Sequence, residues 1–211
     1  MFGAVAWTAL DLIMAVSTVV GMRFGLIDNW LRNIKDIYTR HEAELAAIED
    51  ENARDAVRVL QAAGYTVHVA AKQEGTGHLC CGRTYLASGM VEQARTKARE
   101  VVQSLLPFAH KGIAIVGLEP SCLLTLRDEM LVMGLGDAPQ LIARHALLFE
   151  EFLAREARAG RLDALQAKLR PVSRPVLLHG HCHQKAFDAV SPVLEVLRWV
   201  PGANPSLIES S

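Results

Sequence analysis

The chain is poor in several things, and each shortage excludes something. Its 22 basic residues are matched by 23 acidic ones. No basic surplus is left to neutralise phosphates, which excludes nucleic-acid binding as its business. Only four cysteines occur in 211 residues, two of them adjacent. That is too few for a secreted disulfide scaffold and fits a reducing compartment with reactive or metal-binding thiols. Long polar stretches are also missing: 51% of residues are apolar and 21% charged, which excludes low-complexity disorder. The length accommodates one full domain with part of a second. No basic residue precedes the apolar run from Met1 to Met22, so a secretory signal is not expected. Asp11 is the only charge in that run, and a central Asp costs about 2.5–3.5 kcal/mol in a membrane span. A buried helix or packing extension is the better reading, and the chain is expected to be soluble.

What is present is an alternation of helical and strand patterns. A stripe of Trp30, Ile34, Ile37, Tyr38, His41 and Leu45 predicts an amphipathic helix without chemistry of its own, completing a helical N-terminal extension over 1–48. A helix is predicted from Asn52 to Ala63 with Gly64 at its C′ position, then a strand over Tyr65 to Val69. After the loop from Gly75 to Thr84, Thr84 is expected to cap a long helix from Tyr85 to Leu106. Its apolar stripe runs Leu86, Met90, Ala94, Ala98, Val101 and Leu105, and Pro107 lies just beyond. The strand Gly112–Gly117 leads into a helix capped by Ser121 and reaching about Met133. Asp137 with Gln140 resembles a capping box for a helix ending near Gly160. A last unit has a strand over Pro175–Leu178, a helix to about Val200, and a short strand from Ser206 to Ile208. This pattern predicts an α/β fold with a mostly parallel sheet and flanking helices.

All four cysteines fall where a strand turns into the next helix. In a parallel sheet those turns share the carboxyl edge, where α/β proteins bind ligands. Helix N-termini there favour thiolate over thiol. Cys80 and Cys81 lie in a polar, glycine-rich loop. Cys122 follows a buried strand, where an inert packed thiol is the alternative. Cys182 sits between His181 and His183, as in a ligand loop for a soft metal; a turn whose histidines merely hydrogen-bond is the alternative. His68, His110 and His145 are read as non-functional, and His78 stays a weak candidate. Such thiols suit iron–sulfur clusters, zinc or copper(I). The long separation of Cys81 from Cys122 argues against a zinc ribbon or finger, but not against a dispersed zinc site.

Three motifs, Leu79-Cys80-Cys81-Gly82-Arg83-Thr84-Tyr85, Gly117-Leu118-Glu119-Pro120-Ser121-Cys122 and His179-Gly180-His181-Cys182-His183-Gln184-Lys185, resemble the cysteine-rich CCG-domain family. Within it, the likeness is greatest to the iron–sulfur subunit of glycolate oxidase and to the C-terminal part of fused FAD-linked 2-hydroxy-acid dehydrogenases of the D-lactate type. The cysteine-rich subunit of heterodisulfide reductase is a more distant relative. The resemblance runs from about Glu51 to Ser211. It implies two pseudo-symmetric α/β halves, a first over 49–170 and the start of an incomplete second over 171–211. It also implies [4Fe–4S] clusters held by Cys80, Cys81, Cys122 and Cys182, with Arg83, His181 and His183 as hydrogen-bonding neighbours. Electrons would come from FAD on a partner subunit or domain and leave toward a membrane quinone or another acceptor.

The chain departs from that family in lacking a recognisable strand before the helix at Asn52. It also lacks the closely spaced cysteines of a ferredoxin-like module and any flavin or dinucleotide fingerprint. It is therefore expected to be an oxidoreductase component that is not catalytic alone, cytoplasmic or peripheral at the inner membrane. A dispersed structural zinc site of Cys80, Cys122, Cys182 and a histidine, or a cofactor-free interaction module, are the alternatives. The chain stops where the family has a second Cys-Cys-Gly. Truncation, a real stop and a stop codon read as selenocysteine are the three expected explanations, and a single cluster on Cys80, Cys81 and Cys122 is expected for this length.

Overall fold

Residues 51–72 and 79–209 are described by the computed structural model. The predicted N-terminal helices, Asp11 and His78 lie outside the described residues. In chain order the elements are α1 (Glu51–Ala62), α2 (Arg83–Ala87), α3 (Val91–Ala109), β1 (Ile115–Gly117), α4 (Pro120–Arg127), a 3₁₀ turn (Glu129–Val132), α5 (Ala138–His145) and β2 (Ala146–Leu148). Then come α6 (Phe149–Arg158), α7 (Asp163–Gln166), β3 (Val176–Leu178), α8 (Cys182–Ala186), α9 (Ser191–Arg198) and β4 (Pro205–Leu207). Of the described residues, 68–72 and 79–149 form one compact unit, and 51–67 with 150–209 form another.

The fold is α/β, and both strand pairs among the described residues are parallel, as the alternation of patterns predicts. In the first unit β1 pairs β2, with Ile115 opposite Ala146 and Gly117 opposite Leu148. In the second, β3 pairs β4, with Val176 opposite Pro205 and Leu178 opposite Leu207. Each pair is joined by helices, as a parallel crossover requires. The first unit packs Ala94, Ala98, Val101 and Leu105 of α3 inward, with Leu123, Leu126, Met130, Ile142 and Leu148 also buried. The second gathers Val172, Val176, Leu178, Val193, Leu197, Val200 and Ala203. Removing one such leucine to alanine costs about 2–5 kcal/mol.

Several predicted elements are corrected by local chemistry. Tyr65–Val69 alternates in burial at Tyr65 and Val67 but forms no strand among the described residues. The chain passes from one compact unit to the other between Val67 and His68, within that run. The long helix from Tyr85 is two helices. The Gly89 N–H donates to the Leu86 carbonyl and the Met90 N–H to the Tyr85 carbonyl, a C-terminal closure of α2 like the one at Gly64 after α1. Thr84 therefore lies inside α2 and caps nothing; Gly82 stands at the N-cap. Pro107 lies inside α3 rather than beyond it. The helix expected to run to Met133 ends at Arg127 and continues as the 3₁₀ turn, and Asp137 makes no capping bond. Between Asp137 and Gly160 the strand β2 interrupts the helix, and α8 and α9 replace a single helix to Val200.

One buried acid has a measurable consequence. Glu150, in the first turn of α6, is only 9% exposed. Burial pushes its carboxyl up to about 7, with Glu151 adding repulsion and its own backbone N–H opposing the shift. A folded-state value above the unfolded one means that the folded chain holds this proton longer. Glu150 therefore removes stability as pH rises from about 4.5 through 7. Glu150→Gln is expected to be more stable than the wild type at pH 8 by about 1–3 kcal/mol and equal to it near pH 4, read from urea midpoints.

Candidate functional site

In the first unit, two loops deliver thiols to one place. One is the stretch Leu79-Cys80-Cys81-Gly82 leading into α2; the other is the turn from β1 into α4. Cys81 and Cys122 meet there with their sulfurs 3.2 Å apart. None of the four cysteines forms a disulfide. Adjacent side chains leave the backbone in different directions, so Cys81 turns inward and is 2% exposed while Cys80 stays partly accessible. The Gly82 N–H faces the Cys80 sulfur at 3.5 Å. Gly82 itself has φ 82°, and a Cβ there would lie 2.7 Å from the carbonyl oxygen of Ala94 on α3. Only glycine fits between the cysteine loop and that helix.

The second loop is organised by a residue that the sequence pattern did not single out. Pro120 occupies the first turn of α4, which places the cap at Glu119 rather than at the expected Ser121. The Glu119 carboxylate accepts from the Ser121 hydroxyl at 2.6 Å and from the backbone N–H of Cys122. Burial resists its ionisation, but these hydrogen bonds outweigh burial and hold its carboxyl below the usual range. Proline at N1 was the available signal for this cap.

The contact drives the acidities of the two thiols apart. The hydrogen bond between them draws the Cys81 thiol down to about 7, against burial and with help from the Arg83 backbone N–H. Cys122 is pushed upward, chiefly by its bond to Cys81, then by burial and by nearby Glu119. Arg83, expected to act on the thiols, thus contributes through its main chain at the start of α2. A buried thiolate beside a second thiol and backbone donors can bind a thiophilic metal or cluster.

Cys182 lies in the second unit and is exposed, at the start of α8. Its sulfur stands 3.4 Å from Nδ1 of His183 and 3.8 Å from Nδ1 of His181. The possible ligand atoms of these three side chains lie within 4.8 Å of one another. His68, read as non-functional, packs its ring 5.7 Å from that of Phe108. Among the described residues no helix is long and apolar enough to cross a membrane.

No family model matches the chain, and no solved structure matches it. Curated proteins do. The chain is similar to a subunit of the anaerobic glycerol-3-phosphate dehydrogenase of Escherichia coli (strain K12), 25% identical over 196 residues, covering 89% of this chain and 47% of that protein. The counterpart of that protein from Escherichia coli O157:H7 gives the same figures, 25% over 196 residues. The chain thus spans about half the length of the curated relatives it matches. A short likeness to a carbonic anhydrase of Emericella nidulans, 57% identical over 30 residues, is confined to 14% of this chain and 13% of that protein.

Proposed function

We propose that this chain is an iron–sulfur electron-transfer component of a flavin-linked dehydrogenase. The observation that carries the reading is the meeting of Cys81 and Cys122, 41 residues apart in sequence, with their sulfurs 3.2 Å apart and Cys80 adjoining. The donor set fits a cluster: thiolates from two loops, with a backbone N–H directed at the Cys80 sulfur. Similarity over most of the chain to a dehydrogenase subunit supports the same class of work. A bound [4Fe–4S] cluster would supply one-electron acceptance and release. Cys80, Cys81 and Cys122 would hold it, Gly82 and Arg83 would stabilise thiolate charge through their N–H groups, and Glu119 would fix the Cys122 backbone. The motif resemblance favours a small 2-hydroxy acid of the glycolate or D-lactate kind as the substrate. It would be oxidised at FAD on a partner, with a quinone or similar acceptor downstream, at the cytoplasmic side of a membrane.

Anaerobic purification followed by iron and acid-labile sulfide analysis tests this. Brown protein with both elements is expected, and Cys81→Ser should lose most of its iron while remaining folded. Colourless protein holding zinc through the same cysteines overturns the proposal, as does Cys81→Ser with unchanged iron.

A further inference from the structure

We propose that His181, Cys182 and His183 form a separate site for a single thiophilic divalent cation of the zinc class, independent of the thiols at Cys80, Cys81 and Cys122. The proposal stands apart from the electron-transfer reading, and either can fail without the other. Zinc at its usual distances from sulfur and imidazole nitrogen sets a tetrahedral S···N edge of about 3.5 Å. The Cys182 sulfur lies 3.4 Å from one histidine nitrogen and 3.8 Å from the other, so both edges are close to that length. Cys182 is exposed while both histidines are half-buried, so a fourth position would be left to solvent or an incoming ligand.

The turn that carries the three residues is held from several sides. Gln184 is buried, and its side-chain oxygen accepts from the His181 N–H at 3.2 Å. The Gln184 carbonyl accepts from the Ala189 N–H at 2.7 Å. Gly180 lies close under Val190, where a Cβ would come within 3.1 Å of a methyl group. Little ordering is therefore left for a metal to impose on this backbone.

One hydrogen bond gives the site a signature of its own. Nδ1 of His181 accepts from the backbone N–H of His183 at 3.1 Å, capping α8. Accepting there requires the lone pair on Nδ1 and places the ring proton on Nε2. Binding metal through Nδ1 uses that lone pair directly. Binding through Nε2 moves the proton to Nδ1, which can then no longer accept. By either route, metal ligation by His181 and the helix cap exclude each other. Metal binding should release the His183 amide.

The test is a cobalt(II) titration of the full chain carrying Cys80→Ser, Cys81→Ser and Cys122→Ser, so that Cys182 supplies the remaining thiol. A single equivalent with sulfur-to-cobalt charge-transfer absorption, displaced by zinc, is expected. Adding Cys182→Ser should abolish the absorption. His181→Asn keeps a capping oxygen but removes the imidazole, and it should weaken binding by about tenfold or more, the scale carried even by an outer partner of a metal ligand. In the unsubstituted chain, zinc should accelerate exchange of the His183 amide while leaving Ala189 protected. Absence of the charge-transfer absorption, its survival in Cys182→Ser, or an unchanged His183 amide on zinc addition would each overturn the proposal.

Discussion

Gly82→Ala is expected to strip the cysteine loop of its iron and to cost about 2–5 kcal/mol of stability, although it removes no thiol. Gly82 lies at φ 82°, and a methyl group there would sit 2.7 Å from the Ala94 carbonyl oxygen. Two costs therefore combine. A left-handed conformation costs a non-glycine residue about 1–2 kcal/mol. The contact with helix backbone cannot be relieved by a rotamer change, and overpacking of this kind costs about 1–3 kcal/mol. The available relaxation is to lift the loop from α3, which carries Cys81 away from Cys122. Gly89→Ala separates the two costs, because Gly89 has φ 75° with nothing within 4 Å of its Cβ position. It should lose about 1–2 kcal/mol and keep its iron. Urea midpoints and iron content after anaerobic reconstitution decide the matter. Wild-type iron content in Gly82→Ala would show that the close approach to α3 does not position the thiols.

The elements legible in the sequence are those with an explicit end signal or a short apolar run. Gly64 closes α1 as its position predicts, and β1, β3 and β4 each lie within or one residue beside the predicted runs. The missed boundaries have physical causes. Gly89 closes α2 with the same two hydrogen bonds that Gly64 provides for α1, but the apolar stripe from Leu86 to Leu105 continues across it. Met90, placed on that stripe, is 42% exposed because the helix restarts there. Ala146-Leu147-Leu148 reads equally well as helix or buried strand, since periodicity cannot separate them over so short a run. Its pairing with β1 decides, and that is a tertiary fact.

The site was legible in parts. Cys122, in the first turn of α4 after β1, and Cys182, at the start of α8 after β3, lie at strand-to-helix turns as expected, whereas Cys80 and Cys81 precede α2 with no strand before them among the described residues. What the sequence could not reveal is which sulfurs meet. Cys80 and Cys81 are equivalent as text, and only the path of the loop against α3 and α4 turns Cys81 toward Cys122. The His181-Cys182-His183 cluster was legible because it is local: three consecutive residues at a helix start cannot be far apart. Glu119 carries a weak cap signal because serine, threonine, aspartate and asparagine lead at N-cap positions and Ser121 stands two residues on.

Glu156→Gln is expected to destabilise the protein by about 2–4 kcal/mol at pH 7 and to remove that residue's share of the acid sensitivity between pH 4.5 and 2. Glu156 is 3% exposed, yet three donors converge on its carboxylate. The Tyr65 hydroxyl and Arg161 Nε each donate at 2.5 Å, and Arg155 Nε donates at 2.9 Å. Tyr65 packs edge-on against Phe152 at 5.1 Å, and Arg155 covers that ring at 5.2 Å, so the acid joins the segment after α1 to α6. Glutamine keeps the shape but turns one acceptor into a donor that faces donors. Arg161 above all, then Tyr65 and Arg155, hold the Glu156 carboxyl down at about 2 despite its burial. A folded-state value below the unfolded one means that its contribution is complete above about pH 4.5 and is lost as pH falls through about 2. At about 1.4 kcal/mol per pH unit, the full shift corresponds to about 3.5 kcal/mol, and the half-exposed arginines reduce it through solvent screening. Tyr65→Phe, which deletes a single donor, should cost only about 1 kcal/mol and leave the acid limb in place. Urea unfolding at pH 7 and pH 3 checks all three chains. Equal midpoints for wild type and Glu156→Gln at pH 7 would mean that the buried carboxylate contributes nothing beyond its shape.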